Sequence, residues 1–216
     1  VLRDLIGPLE GIMARNPVWK KAQEMQAQLK RDAVLAEAAA LFNVKGYHAT
    51  SLTEVADRLM FTKTAIYYYV KNKNDLLYHT YVRSLDEIDQ ATLDAESNGE
   101  NGLDKLCQYV LSKAFVHPEA SALLNEIDAI EDPKRRAELR KRLSGANMRI
   151  ADWIEEGVKD GSIAPCDPDL AGRFVMGAFN WMPRWIGSSG KSIEEVTDYF
   201  VSLIRKTLAP DNSQTA

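Results

Sequence analysis

The sequence predicts an all-α protein, and three observations carry that expectation. Apolar residues recur at helical spacing along most of the 216 residues, and no segment reads as a convincing strand or an internal repeat. Two Asp-Pro pairs, Asp132-Pro133 and Asp167-Pro168, put a capping carboxylate ahead of a proline at the first helical position and open long striped segments. Third, Thr50 to Leu77 reads as two short helices joined by a tight turn.

In chain order, Pro17 can start a helix, and Val18 to Leu29 has amphipathic spacing with Lys20 and Lys21 on it. This extension, residues 1–29, admits two readings: a basic arm along a polyanion, or a helix packed on the protein or a partly disordered terminus. A helix from about Lys30 to Lys45 buries Leu35, Ala38, Ala39 and Phe42 and stops at Gly46. Then Ser51 with Glu54 three residues later makes a capping box, and Leu52, Val55, Ala56 and Leu59 line one side. Thr62 caps the next helix, whose inward face is Ile66 and Val70. Lys63, Thr64, Tyr67 and Tyr68 are left facing away. The run Ala65 to Val70 also has strand-like composition. The hydroxyl cap before it, the absence of a partner strand and the cationic exit Lys71-Asn72-Lys73 favour the helix.

A fourth helix starts near Asn74, runs to about Ala95 along Leu77, Tyr81 and Ile88, and joins both halves of the chain without a linker. Glu96 to Gly102 is a predicted loop. Leu103 to Phe115 and about Pro118 to Ile130 are the next two helices. The segment from Asp132-Pro133 runs to Asp160, inward along Leu139, Leu143, Ile150, Ile154 and Val158, with Gly161 closing it. That from Asp167-Pro168 extends to about Trp185 and is apolar nearly all round, which predicts burial on every side, with a ligand cavity on one face and a partner subunit on another. After the Gly187–Gly190 loop, Ser192 to Leu208 is the last helix. Its stripe is Ile193, Val196, Phe200, Leu203, Ile204 and Leu208, with Tyr199 and Val201 off it. Residues 211–216 are expected to be disordered.

Helix, tight turn and helix with a polar, aromatic outer face is the helix-turn-helix form of a DNA reader, whose second helix enters the major groove. The net charge of -4 opposes this only as a single number. From Arg15 to Arg83 there are 11 lysines and arginines against 6 acids, and from Ser84 onward 15 against 23. Phosphate attraction is therefore confined to one end.

The residues also resemble a family. Ala33 to Phe42, Gly46 to Ser51, Ala65 to Lys73 and Asp75 to Leu77 look like the DNA-binding domain of the TetR transcriptional regulators. One departure is Met60, which stands where the family usually has glycine. A left-handed Met costs about 1 kcal/mol relative to glycine, so a differently built turn is one outcome. The resemblance implies a helix-turn-helix domain over residues 30–77 and a helical effector-binding and dimerisation domain over 78–210. It also implies homodimerisation through the last two helices; the alternative is that both fill a monomer core. By position, Ser51 and Lys73 are implied phosphate contacts, and Tyr67 and Tyr68 contacts to backbone or thymine methyls. Lys63, Thr64 and Thr53 would face base edges, with Thr62 and Lys71 completing the surface.

A narrower resemblance covers Met176 to Trp185 and Ile186 to Glu195, which look like the effector domain of a TetR subgroup regulating fatty-acid, sterol or other acyl-CoA catabolism. The candidate effector contacts are Phe115, Met148, Trp153, Met176, Phe179, Asn180, Trp181, Arg184 and Trp185. Aromatic and Met side chains suit an acyl or ring moiety and Arg184 an anion. Trp181 and Trp185 suit an interface core equally well.

Other chemistries are disfavoured. Gly190-Lys191-Ser192 lacks a phosphate loop's first glycine, whose place is held by Trp185, and a helix precedes it. His48, His79 and His117 have no metal-ligand spacing, and Cys107 and Cys166 form no metal or redox pair. Two cysteines fit a reducing cytoplasm, and no membrane span or signal peptide is visible. The expectation is thus a non-enzymatic regulator, in form a repressor, needing no cofactor and released from operator DNA by an effector, an acyl-CoA among the candidates. A helical dimeric sensor or carrier that does not read DNA is the alternative, and an all-α enzyme a third class.

Overall fold

Lys30 does not begin a helix. In the computed structural model, which describes residues 17–112, 126–182 and 185–211, one helix, α1, runs unbroken through Pro17–Lys45. Between Pro17 and Lys45 there is no Gly or Pro, and Ala, Gln, Lys, Glu, Met and Leu are good helix formers, so nothing local ends it. Its first four turns, through Lys30, are exposed. Burial begins at Val34 and Leu35 and continues through Ala38, Ala39, Leu41 and Phe42. Gly46 ends the helix at φ 83°.

Helices α2 (Leu52–Arg58) and α3 (Lys63–Ile66) close the N-terminal unit against α1, and α4 (Lys73–Asn98) leaves it. Asn72, not Asn74, caps α4, its Oδ1 accepting from the Asp75 amide at 2.7 Å. At 26 residues α4 is about 39 Å long, and it crosses from the reader to the remaining helices without interruption. The predicted Glu96–Gly102 loop is shorter than expected. Glu96, Ser97 and Asn98 are the last turn of α4, and Asn101 already caps α5 (Gly102–Leu111).

The C-terminal unit is built around α5, which packs on α4, on α6 (Pro133–Asp160) and on α8 (Ile193–Leu208). Its Leu106, Cys107, Tyr109 and Val110 are buried. Removing a side chain of leucine size from water is worth about 1.5–3 kcal/mol, so this short helix anchors three longer ones. The α5 and α6 backbones nearly touch at glycine: a Cβ on Gly102 would lie 2.2 Å from the Gly157 nitrogen. The free amides at the start of α5 are satisfied by the end of α6, Gly102 N donating to Asp160 and Leu103 N to Ser162.

The Asp132 and Asp167 caps form as expected, the first accepting from the Lys134 and Arg135 amides and the second from that of Leu170. Gly161 closes α6 at φ 80°. Helix α7 (Pro168–Trp181) stops short of Trp185, and Ile186–Ser188 is a single 3-10 turn that leads into the predicted loop. The end of the predicted sixth helix is also not α-helical: Ile127–Ala129 is a 3-10 turn and Ile130 is extended. The rest of that helix, and residues 113–115 of its predecessor, lie outside the described residues, as do residues 212–216 of the tail. Among the described residues there is no strand.

In the single subunit α7 is buried at Gly172, Val175 and Phe179 and exposed at Leu170, Phe174 and Trp181. One burial expectation is corrected. On α8 the buried line is Val196, Thr197, Val201, Ile204 and Leu208, so Val201 faces in while Tyr199 and Leu203 face out.

Candidate nucleic-acid interface and effector region

The reader is assembled by local chemistry. Ser51 Oγ accepts from the Glu54 amide at 3.1 Å, fixing the start of α2. The reciprocal half of the capping box is missing, because the Glu54 carboxylate pairs with Lys45 instead. After Arg58 the chain turns through Met60 at φ 54°, with Phe61 N donating to Ala56 O at 2.8 Å. Thus the left-handed turn is made without glycine, and Met60 is 94% exposed. Thr62 Oγ1 accepts from the Ala65 amide at 3.2 Å and opens α3. That helix is a single turn; from Tyr67 to Tyr69 the chain winds more tightly, each amide donating to the carbonyl three residues back. Ile66 and Val70 are buried, and Tyr69 stacks on Phe61 with centroids 6.2 Å apart.

The outward face carries what remains. Lys63, Thr64, Tyr67 and Tyr68 are all exposed, Tyr68 to 84%, and Ser51, Thr53, Thr62 and Lys71 are exposed beside them. Lys73 is different. Its Nζ donates to the His48 carbonyl at 3.1 Å and sits 4.3 Å from the centre of the Tyr47 ring. Partial burial lowers its pKa, with Glu126 opposing. Lys73 therefore also fastens α4 to the α1–α2 connection, a contact that local reading misses because its partner is 25 residues away.

The first turns of α4 fasten the reader to the other unit. Asn74 Nδ2 donates to the Ala129 carbonyl at 2.6 Å, and its Oδ1 accepts from the Glu131 amide at 3.1 Å. Asp75 accepts from the Lys71 amide at 3.1 Å and from Arg135 at 2.9 Å, with His79 at 3.6 Å. Burial works to raise the Asp75 pKa, but the Lys71 amide, Arg135 and His79 outweigh it and leave it below the ordinary carboxylate value. For His79, burial lowers the pKa; Asp75 works against this, while Arg31, Arg135 and Lys71 add to it.

Residues 34–79 match the profile of bacterial regulatory proteins of the tetR family, and residues 97–208 that of the tetracyclin repressor-like C-terminal domain. The second match alone spans more than half of the chain. The chain belongs to the TetR family. It is a DNA-binding transcriptional regulator of the ligand-responsive kind. The transcriptional repressor KstR2 of Mycolicibacterium smegmatis is 24% identical over 185 residues, covering 83% of this chain and 90% of that protein. The solved ketosteroid transcriptional regulator KstR2 of Mycobacterium tuberculosis superposes with a TM-score of 0.74 at 19% identity, covering 84% of this chain and 96% of that one. AibR, solved in complex with isovaleryl coenzyme A and operator DNA, superposes with a TM-score of 0.65 at 22% identity, covering 80% and 96%.

In this TetR-family chain the described candidate effector residues have different surroundings. Trp153 is in the core with its ring 5.5 Å from Tyr109. Phe179 is buried edge-on to Phe200 at 5.1 Å, and the Trp185 ring lies 6.2 Å from that of Phe200. Met176 and Asn180 line a separate cleft of about 220 Å³ between α6 and α7, with Asn147 and Arg173. Met148 and Trp181 are exposed. Phe115 and Arg184 lie outside the described residues. Beside Phe179 an apolar groove of about 310 Å³ runs between α7 and α8, lined by Phe174, Phe200, Leu203 and Leu208 among others. Among the described residues no cluster of His, Cys, Asp or Glu could hold a metal, and no helix is long and apolar enough to cross a membrane.

Proposed function

We propose that this protein is a homodimeric repressor, released from its operator by a small molecule with an apolar body and an anionic end, of the acyl-CoA class. The observation that carries the DNA half is the outward face of α3. Lys63, Thr64, Tyr67 and Tyr68 are exposed on one side of a turn whose opposite side, Ile66 and Val70, is fully packed. Lys63 and Thr64 would read base edges, with Thr53. Ser51, Thr62, Lys71, Lys73 and the two tyrosines would hold the backbone. Ser51 and Thr62 accept from backbone amides and keep a hydroxyl proton to donate, so capping and phosphate contact are compatible.

The dimer is supported by the exposed apolar side chains of α7 and α8: Phe174 and Leu203 line the groove between the two helices, and Leu170 and Tyr199 are exposed on the same helices. Phe174 is 70% exposed, so Phe174→Glu leaves the subunit core intact and places a charge in that face. Sedimentation should then give monomers; an unaltered dimer places the interface elsewhere. The acyl-CoA class is supported by AibR, whose structure holds isovaleryl coenzyme A, and an apolar body also by KstR2, a ketosteroid transcriptional regulator. A duplex selected by the protein from a random pool, titrated with CoA esters of short-chain, long-chain and ring acids, tests it. Release of the duplex by such esters is expected. Release by free acids, sugars or cationic dyes, with every CoA ester leaving the duplex bound, refutes the acyl-CoA assignment and leaves the DNA reading intact.

A further inference from the structure

Arg135, Arg142 and Arg149 recur every seven residues along α6, two turns apart, and so share one line on its surface. Each meets α4. Arg135 lies 2.9 Å from Asp75, Arg142 lies 2.8 Å from Asp86 while also reaching Asp89, and Arg149 lies 2.8 Å from Glu96. The four carboxylates also share one face, because separations of 11, 3 and 7 residues each return near the same side of a helix. The need for cations is written in α4. From Ser84 to Asn98 it carries Asp86, Glu87, Asp89, Asp94 and Glu96 and no lysine or arginine. Carboxylates three and four residues apart repel, and Arg142 bridges the closest pair of that row.

We infer that Arg142 is a positioning residue for operator binding, setting the lie of α4 against α6 and hence the place where α4 presents the reader. The inference rests on the DNA-reading assignment of α3. Asp86 and Asp89 are 13 and 16 residues beyond Lys73, about 20–24 Å along the helix, so Arg142 acts from outside the reader. Over that lever a tilt of roughly 5° displaces the far end by about 2 Å. Two readers must fit successive major grooves about 34 Å apart, so loosening the lever spreads their separations and lowers the population that fits. Both aspartates are more than half exposed, so the pairing also weakens as salt rises.

The test uses the full chain and a duplex that it selects from a random pool. Arg142→Met should bind that duplex about tenfold more weakly than the parent in about 0.05 M salt, and the ratio should shrink towards one in about 0.5 M salt. Arg142→Lys should recover part of the loss. Arg142→Asp should lose affinity further, and combining it with Asp89→Arg should restore binding to within about threefold of the parent. A contribution to stability alone would move the melting temperature without this salt-dependent ratio or the recovery on exchange. Equal binding by Arg142→Met and parent at both salts overturns the inference. So does an exchanged pair that folds and sediments like the parent yet binds no better than Arg142→Asp. A parent that selects no duplex overturns the DNA reading, and this inference with it.

Discussion

Met60→Gly should make the protein more stable. Met60 holds φ 54° in the turn between α2 and α3, and its side chain is 94% exposed, so the substitution removes almost no packing. Left-handed backbone costs an L-residue with a Cβ roughly 1–2 kcal/mol, and glycine escapes that cost. Against it stands the greater freedom of glycine in the unfolded chain, about 0.5–1 kcal/mol. The net expectation is a gain of about 0.5–1 kcal/mol, which for a chain of this size raises the melting temperature by roughly 1–4 °C. Met60→Val should act oppositely, because a branched Cβ fits left-handed backbone worst. Thermal unfolding followed by circular dichroism compares the three proteins at one concentration. If Met60→Gly melts at or below the parent temperature, or if Met60→Val melts above it, the strain assigned to this turn is absent.

Gly102→Ala should be among the most damaging small substitutions, because its Cβ would press on the Gly157 backbone and separate α5 from α6. A loss of about 1–3 kcal/mol in urea titration is expected, and a loss below 0.5 kcal/mol removes the close approach. The Asp75–His79 cluster makes stability fall on acidification. Both folded pKa values lie below their unfolded ones, so each contribution is complete above the unfolded value and is lost as pH falls through the folded one. His79→Gln should therefore flatten the stability profile just below pH ~6.5, while the decline below pH ~4 remains. An unchanged slope near pH 6 would assign the decline elsewhere. Cys107 is buried, with its pKa raised by burial to about 11, whereas Cys166 is exposed. A thiol reagent at neutral pH should label Cys166 quickly and Cys107 only on unfolding, and two fast thiols would contradict the packing of α5. Lys63→Ala should relax operator preference at one base position by about 1–3 kcal/mol. An affinity profile of unchanged shape across operator variants would take Lys63 away from the bases.

What the sequence by itself determined is much of what is decided within about four residues. The caps at Ser51, Thr62, Asp132 and Asp167 and the stops at Gly46 and Gly161 all form, because cap and turn chemistry need no distant partner. The outward set Lys63, Thr64, Tyr67 and Tyr68 was legible for the same reason: once Ile66 and Val70 face in, helical geometry places the others. Only the tertiary structure decided what needs a neighbour. The continuity of α1 through Lys30 follows from the absence of Gly and Pro between Pro17 and Lys45, but the exposure of its first turns is a tertiary fact. Helices α7 and α8 have apolar residues on more than one side, so composition could not say that Val201 faces in and Leu203 out; the position of the neighbouring helices did. That Trp153 is buried with its ring against Tyr109, 44 residues away, is likewise set by the packing of α5 on α6. Lys73 and Arg142 found their partners 25 and more than 50 residues away, at the His48 carbonyl and at two aspartates of α4. A long cationic side chain reaches several angstroms in any direction, and the packing of the helices, not the spacing along the chain, chose which oxygen it meets.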